Sequence, residues 1–214
     1  QELGAACIDM GGGATGVSVF FKKHLIFADS VRMGGDHVTG DISMGLQIPT
    51  AAAERIKTLY GGAMATGMDH REMIETDGNS GDWEHDRRQV SRSELIGIIR
   101  PRMEEILEDV RDRLDAAGFD NLPGKQIVLT GGASQIPGLD GLAARILGQH
   151  VRLGRPIRVQ GLPQAATGPA FSGVVGLALN AANPQDEWWD FEVPQPQIVG
   201  RPLRRAMRWF RDNW

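Results

Sequence analysis

Alternation of apolar and polar positions defines the first elements of the chain. Ala5, Ala6, Cys7 and Ile8 form an apolar run, and further on Val17, Val19 and Phe21 alternate with Ser18 and Lys22. A period of two is strand periodicity, so strands are predicted on both sides of Asp9-Met10-Gly11-Gly12-Gly13-Ala14-Thr15-Gly16. Leu25 to Val31 reads as a third strand after the turn Lys22-Lys23-His24, giving three short antiparallel strands. The chain starts inside a strand approach and is expected to be part of a longer protein.

Helical periods follow. After Met33-Gly34-Gly35, Asp36 is expected to cap a helix carrying Val38, Ile42 and Leu46 on one face, with Gly45, Pro49 and Thr50 breaking it. A second helix is predicted from about Ala51 to Leu59, ended by Gly61-Gly62. Residues 68–88 are polar and mixed; Met73 to Thr76 reads as a short strand and the rest, with Asp69, His70 and His85, as an exposed loop. Ser91-Arg92-Ser93-Glu94 is a capping box opening the longest helix, to about Ala117. Leu95, Ile99, Met103, Ile106, Val110 and Leu114 form its stripe, Gly118 its C-cap and Pro101 an expected kink.

Gln126 to Thr130 is a buried-type strand running into Gly131-Gly132-Ala133-Ser134-Gln135-Ile136, with a helix from about Leu139 to Leu147. Val151 to Leu153 and Ile157 to Val159 are short strand candidates. Pro169 starts a helix to about Asn180, in which Gly173 and Gly176 are expected to give close packing. The pattern stops between Asn183 and Gly200, where three prolines and an acidic-aromatic run predict a linker. In the tail, Leu203, Met207, Phe210 and Trp214 share one helical face at offsets of 4, 3 and 4, beside Trp209 and five arginines. A helix of this kind suits the interface of an anionic membrane; packing on the protein's own core and docking in a partner groove use the same pattern.

Composition narrows the function classes. A length of 214 residues allows one large domain or two small ones. A net charge of −4 argues against a general nucleic-acid binder. The single cysteine, Cys7, excludes an intramolecular disulfide framework and is expected to be a buried core thiol. No apolar run approaches the ~20 residues of a membrane span.

The candidate chemistry lies in the glycines. Gly11, Gly13 and Gly16 satisfy G-x-G-x-x-G, but a dinucleotide fold needs a helix after them, and strand residues follow. A hairpin whose bare backbone N–H groups grip a phosphate fits better, and a plain glycine-rich hairpin is the alternative. Asp9 at its mouth is placed to hold Mg²⁺, directly or through water. Arg88, Arg92, Arg100 and Arg102 crowd the first half of the long helix; they read either as a solvated face or as a basic dock for an acidic peptide.

These residues together resemble the second half of the FtsA family of bacterial cell-division proteins, within the actin/Hsp70/sugar-kinase ATPase superfamily. Asp9 to Thr15 resembles the second phosphate loop, Ala53-Glu54-Arg55-Ile56-Lys57 the segment holding ribose and base, and Ile127 to Leu139 the adenosine motif. The resemblance implies an α/β, actin-like (ribonuclease H-like) ATPase domain. Residues 1–33 and 126–180 would form its larger subdomain. Residues 34–125 would form a smaller α/β subdomain inserted between, with a linker over 181–200 and an amphipathic C-terminal helix over 201–214.

ATP and Mg²⁺ are the implied ligands. Asp9, Gly11, Gly12, Gly13 and Thr15 would bind phosphate; Gly34, Gly35, Glu54, Lys57, Gly131, Gly132, Ala133 and Ile136 would bind adenosine. The implied partners are the C-terminal peptide of the tubulin-like protein FtsZ on the arginine patch, further copies in actin-like filaments, other division proteins and an anionic membrane. The implied place is the cytoplasmic face of the inner membrane at the division site. Ala14 stands where the superfamily usually has a hydroxyl residue, and Gly16 where an acid is often found. Weak ATPase activity at most is therefore expected. A phosphotransferase or chaperone-like enzyme of the same fold, and a membrane adaptor with a dead nucleotide site, are the alternatives.

Overall fold

A computed structural model describes residues 4–77, 87–156 and 159–182, without the side chains of Asp77, Arg87 and Arg88. The linker, the tail helix, His85 and Ile157 lie outside the described residues. Five strands form the main sheet. β1 (Ala5–Met10), β2 (Thr15–Phe21) and β3 (His24–Val31) are the expected antiparallel meander. β6 (Gln126–Thr130) lies parallel to β1, and β7 (Val151–Leu153) parallel to β6, giving the order β3-β2-β1-β6-β7. A second, two-stranded sheet pairs β4 (Met73–Asp77) with β5 (Arg87–Ser91).

Strand alternation decides which face is covered. Ala6, Ile8 and Met10 of β1, Val17 and Val19 of β2, and Ile127 and Leu129 of β6 are fully buried. Their helical cover includes α3 (Arg92–Ala116), which packs on β2 and β3 and against α1 (Gly35–Leu46) and α4 (Leu139–Leu147). Every residue of the predicted α3 stripe is buried, and Ile96 and Leu107 join it. Each such side chain contributes about 1.5–3 kcal/mol of burial. Ser91 Oγ accepts from Glu94 N–H (3.2 Å), one half of a capping box, and the helix runs through Pro101 without a break. Gly118 closes it in the left-handed region at φ 68°.

Residues up to Ala178 form one compact unit. Val38, Ile42 and Ile106 share a single core with Ile8 and Leu129.

Several local expectations are corrected. Gly34, not Asp36, precedes α1; as a glycine it offers no capping side chain, and its own N–H donates to His37 Nδ1 (3.2 Å). Gly45 lies inside α1, where a Cβ would stand 3.0 Å from Ile98 Cδ1; the helix ends instead at Gln47, with φ 54°. Thus Gly45 permits close helix contact rather than terminating the helix. Part of the expected loop over 77–88 is strand, since Arg87 to Ser91 pairs with β4 and buries Val90. Asp69 is buried, at 3 % exposure, because it ties a turn to α3. Cys7 is half-buried, on the opposite side of β1 from Ala6 and Ile8; burial, then the Asp9 charge, pushes its thiol up. α2 (Thr50–Tyr60) is as expected. α5 (Ser172–Ala182) begins after a short turn at Pro169. Gly176 there has open space around it, so it serves no close packing.

Candidate functional site

The glycine hairpin is tied to α1 by its carbonyl groups. Gly35 N–H donates to Gly11 O and Asp36 N–H to Gly12 O, each at 2.9 Å, while Gly11 N–H donates to Ala14 O (3.0 Å) and closes the turn. In a trans peptide the C=O of one residue and the N–H of the next point opposite ways. Because the Gly11 and Gly12 carbonyls face α1, the N–H groups of Gly12 and Gly13 face away from it, side by side. Neither N–H has an acceptor among the described residues, and Gly12, Gly13 and Ala14 are exposed. Two adjacent donors of this kind form a concavity suited to an anion. Thr15, expected to touch phosphate, is instead fully buried and donates to Met33 O (2.8 Å), holding the β3–α1 junction.

Asp9 joins the hairpin to the second glycine motif. It pairs with Gly16 on β2 and with Thr130 on β6. A Cβ on Gly131 would stand 2.4 Å from Asp9 Oδ1, and one on Gly173 would stand 3.5 Å from Oδ2. The carboxylate therefore lies between the end of β6 and the first turn of α5. Gly131 N–H donates to Pro169 O (3.1 Å), Ser134 Oγ donates to Gly131 O (2.8 Å), and Thr130 Oγ1 donates to Ser172 Oγ (2.6 Å). The hairpin and Gly131 thus meet at the carboxyl ends of parallel β1 and β6, the place where open α/β sheets take ligands. Gly132 is exposed there, whereas Ile136 belongs to the core. On the β7 side of β6, a groove of about 540 Å³ is lined by Gln135, Leu153, Gly154, Arg155 and Pro169.

Gly34, Gly35, Glu54, Lys57 and Ala133 form the remaining wall. A Cβ on Gly34 would stand 2.4 Å from Gly12 O, and one on Gly35 would stand 3.3 Å from Ala133 Cβ and 3.6 Å from Lys57 Nζ. Lys57 Nζ reaches Glu54 Oε2 at 2.6 Å, Thr39 Oγ1 at 2.8 Å and Gly35 O at 3.1 Å. Burial pushes the Glu54 carboxyl up, but the hydrogen bonds from Lys57 and Thr39 and the Lys57 charge outweigh it and hold the group below the usual range. Thr39 itself was not singled out by the sequence. Its one signal is a hydroxyl on the apolar face of α1, four residues after Gly35.

The described arginines of the patch, Arg92, Arg100 and Arg102, are each paired with acidic groups. Arg92 donates to Tyr60 O (3.0 Å), Asp69 Oδ1 (3.2 Å) and Glu72 Oε2 (3.1 Å). Arg100 pairs with Glu104 on its own helix (2.7 Å). Arg102 forks onto Asp41 of α1 at 2.6 and 3.0 Å and also meets Glu105. The Arg88 side chain lies outside the described residues, as do Leu203, Met207, Trp209, Phe210 and Trp214. Among the described residues, no helix is long and apolar enough to cross a membrane, and no group of acidic, histidine or cysteine side chains forms a metal cluster.

Comparison with known proteins bears on the family and the fold. The profile of the family described as cell division protein FtsA matches residues 6–176. The cell division protein FtsA of Agrobacterium fabrum is 49% identical over 178 residues, which is 83% of this chain and 40% of that protein. The Pseudomonas aeruginosa protein of the same description is 33% identical over 100% of this chain and 52% of its own length. The chain thus spans about half the length of the curated relatives it matches. Among solved structures, MreB5 of Spiroplasma citri bound to ADP aligns with a TM-score of 0.64 at 17% identity, covering 85% of this chain and 54% of that one. The fold is that of the actin-like ATPases. With the FtsA profile covering most of its length, the chain belongs to the FtsA family of bacterial cell-division proteins.

Proposed function

We propose that this chain supplies one wall of an ATP-binding cleft in a cell-division protein that assembles in an actin-like manner and tethers FtsZ filaments to the membrane. The observation that carries the nucleotide part is the pair of adjacent, unengaged N–H groups at Gly12 and Gly13, beside Asp9 and Gly131. The residues fit the ligand. Two N–H donors suit a phosphate, the missing Cβ at Gly131 leaves room for the Asp9 carboxylate, and that carboxylate is a hard oxygen ligand suited to Mg²⁺. Gly132, Ala133, Glu54 and Lys57 would form the adenosine side. The ADP complex of MreB5, a protein of the same fold, supports a nucleotide as ligand.

Ala14 brings no hydroxyl to the hairpin, so the cleft is suited to holding ATP more than to splitting it. Family membership supports the FtsZ peptide, self-association and other division proteins as partners. Arg92 and Arg100 are the contacts to test. The tail carries the membrane part, at the cytoplasmic face of the inner membrane. Calorimetric titration of the full-length protein with Mg²⁺-ATP tests the nucleotide reading, with saturable binding expected. No binding would leave a membrane adaptor with a dead nucleotide site.

A further inference from the structure

The side chain of His37, the third residue of α1, turns back on the start of its own helix. Gly34 N–H donates to His37 Nδ1 at 3.2 Å, and His37 N–H donates to Gly34 O at 3.1 Å. This reciprocal pair is a capping-box arrangement, with an imidazole where Glu or Gln is usual. Gly34 is buried, and its N–H has no other acceptor among the described residues. A buried donor without an acceptor is costly, so the imidazole nitrogen holds Gly34 in place. The next two N–H groups hold the glycine hairpin: Gly35 N–H on Gly11 O and Asp36 N–H on Gly12 O, each at 2.9 Å. Those two carbonyls set the peptide planes whose opposite edges are the Gly12 and Gly13 N–H groups. Gly34 itself lies against the hairpin, where a Cβ would stand 2.4 Å from Gly12 O.

We propose that His37 is a positioning residue for the anion site: its neutral Nδ1 locks the start of α1 onto the hairpin and so keeps the Gly12 and Gly13 N–H groups aimed outward. The inference rests on the nucleotide reading above for its ligand. Nδ1 accepts a hydrogen bond only while it carries no proton, so acid opens the lock, and imidazoles in general gain that proton at about pH 6.5. His37 is exposed, which lets the charged ring turn into water and leaves the Gly34 N–H behind. The elements around this turn carry charges of both signs. Asp36 lies beside Gly12, where a Cβ would stand 2.8 Å from its Oδ2. Asp41, one turn along α1, is engaged by Arg102 of α3. Lys57 of α2 is engaged by Gly35 O and Glu54. Arg32 follows β3, and Asp9 stands at the foot of the hairpin, whose residues from Gly11 to Gly16 carry no charge. None of these groups gives the Gly34 N–H a second acceptor.

The test compares His37→Leu, which removes the acceptor, with His37→Gln, the usual capping-box residue, which keeps a neutral acceptor at every pH. The full-length proteins are titrated with Mg²⁺-ATP at about pH 8 and about pH 5.5. Hydrogen exchange of the backbone amides over 34–37 is followed at about pH 8 without nucleotide, with thermal unfolding alongside. At the higher pH, His37→Leu is expected to weaken ATP about fivefold, the size of one hydrogen bond, and to speed exchange at Gly34; His37→Gln should restore both. At the lower pH, the affinity of the unmodified protein relative to His37→Gln should fall by about threefold or more. Protonation of the nucleotide itself cancels in that ratio, which decides the matter even where the leucine variant is too unstable to bind. A ratio that stays constant between the two pH values, or unchanged exchange in a folded His37→Leu protein, overturns the inference and makes His37 a surface residue only. Absence of ATP binding by the unmodified protein overturns the nucleotide reading itself and takes this inference with it.

Discussion

Gly131 stands so close to Asp9 that no side chain fits between them. A Cβ at position 131 would lie 2.4 Å from Asp9 Oδ1 and equally near Met10 O, and the residue has φ 87°. Substitution therefore meets two obstacles, a clash and a left-handed backbone. Gly131→Ala is expected to lower stability by at least about 1–3 kcal/mol, read as a shift of the urea midpoint with an unchanged slope. A midpoint equal to that of the unmodified protein would show that the β1–β6 junction has more room than the structure gives it.

Gly13 is the contrasting case. A Cβ there meets nothing within 4 Å, so Gly13→Ala is expected to fold normally, within about 0.5 kcal/mol. Its methyl would nevertheless crowd the approach to the Gly12 and Gly13 N–H groups. ATP affinity is expected to fall about tenfold, or roughly 1.4 kcal/mol. Normal ATP binding by a folded Gly13→Ala protein would remove these amides from the phosphate site.

How much of this was legible in the sequence depends on what each element rests on. The meander β1–β3 and the stripe of α3 follow from side-chain periodicity, a local property, and both stand as read. The order of the three glycine and Glu-Lys motifs was readable as a resemblance, and the structure gathers Asp9, Gly34, Gly35, Lys57 and Gly131 around the hairpin and α1. Asp69 and Thr39 were not readable. Each is a polar residue buried by partners far along the chain, Arg92 for one and Lys57 for the other. The pairing of the arginines was hidden for the same reason: the charges of Arg92 and Arg102 are met by Asp69 and Asp41, residues distant in sequence.

Arg102 and Asp41 join α3 to α1 through a two-pronged pair whose side chains are 26% and 20% exposed. The Asp41 hydrogen bond raises the guanidinium's pKa more than burial lowers it, so the arginine is held above its ordinary value. A double-mutant cycle with Arg102→Ala and Asp41→Ala is expected to give a coupling of about 1 kcal/mol. A coupling near zero would mean that the two helices are held by their apolar contacts alone.

Asp69 supplies a pH test. Its Oδ2 accepts from Thr66 N–H and Thr66 Oγ1, and Arg92 stands 3.2 Å from Oδ1. The Thr66 backbone hydrogen bond comes first in holding this carboxyl below its usual range, ahead of burial, which opposes it, and then the Thr66 hydroxyl and the Arg92 charge. A group whose folded value is depressed adds stability above its unfolded value, about 3.9 for an aspartate. That stability is lost as the pH falls through the lower folded value. The unmodified protein should therefore be more stable than Asp69→Asn at pH 7, and the gap should start to close only below about pH 3.9. Urea midpoints of both proteins from pH 7 to pH 2 measure it, the other carboxylates cancelling in the comparison. A gap that stays constant to pH 2 would place the effect in the shape of the side chain rather than in its charge, and the turn from Thr66 to Asp69 would then be held by geometry alone.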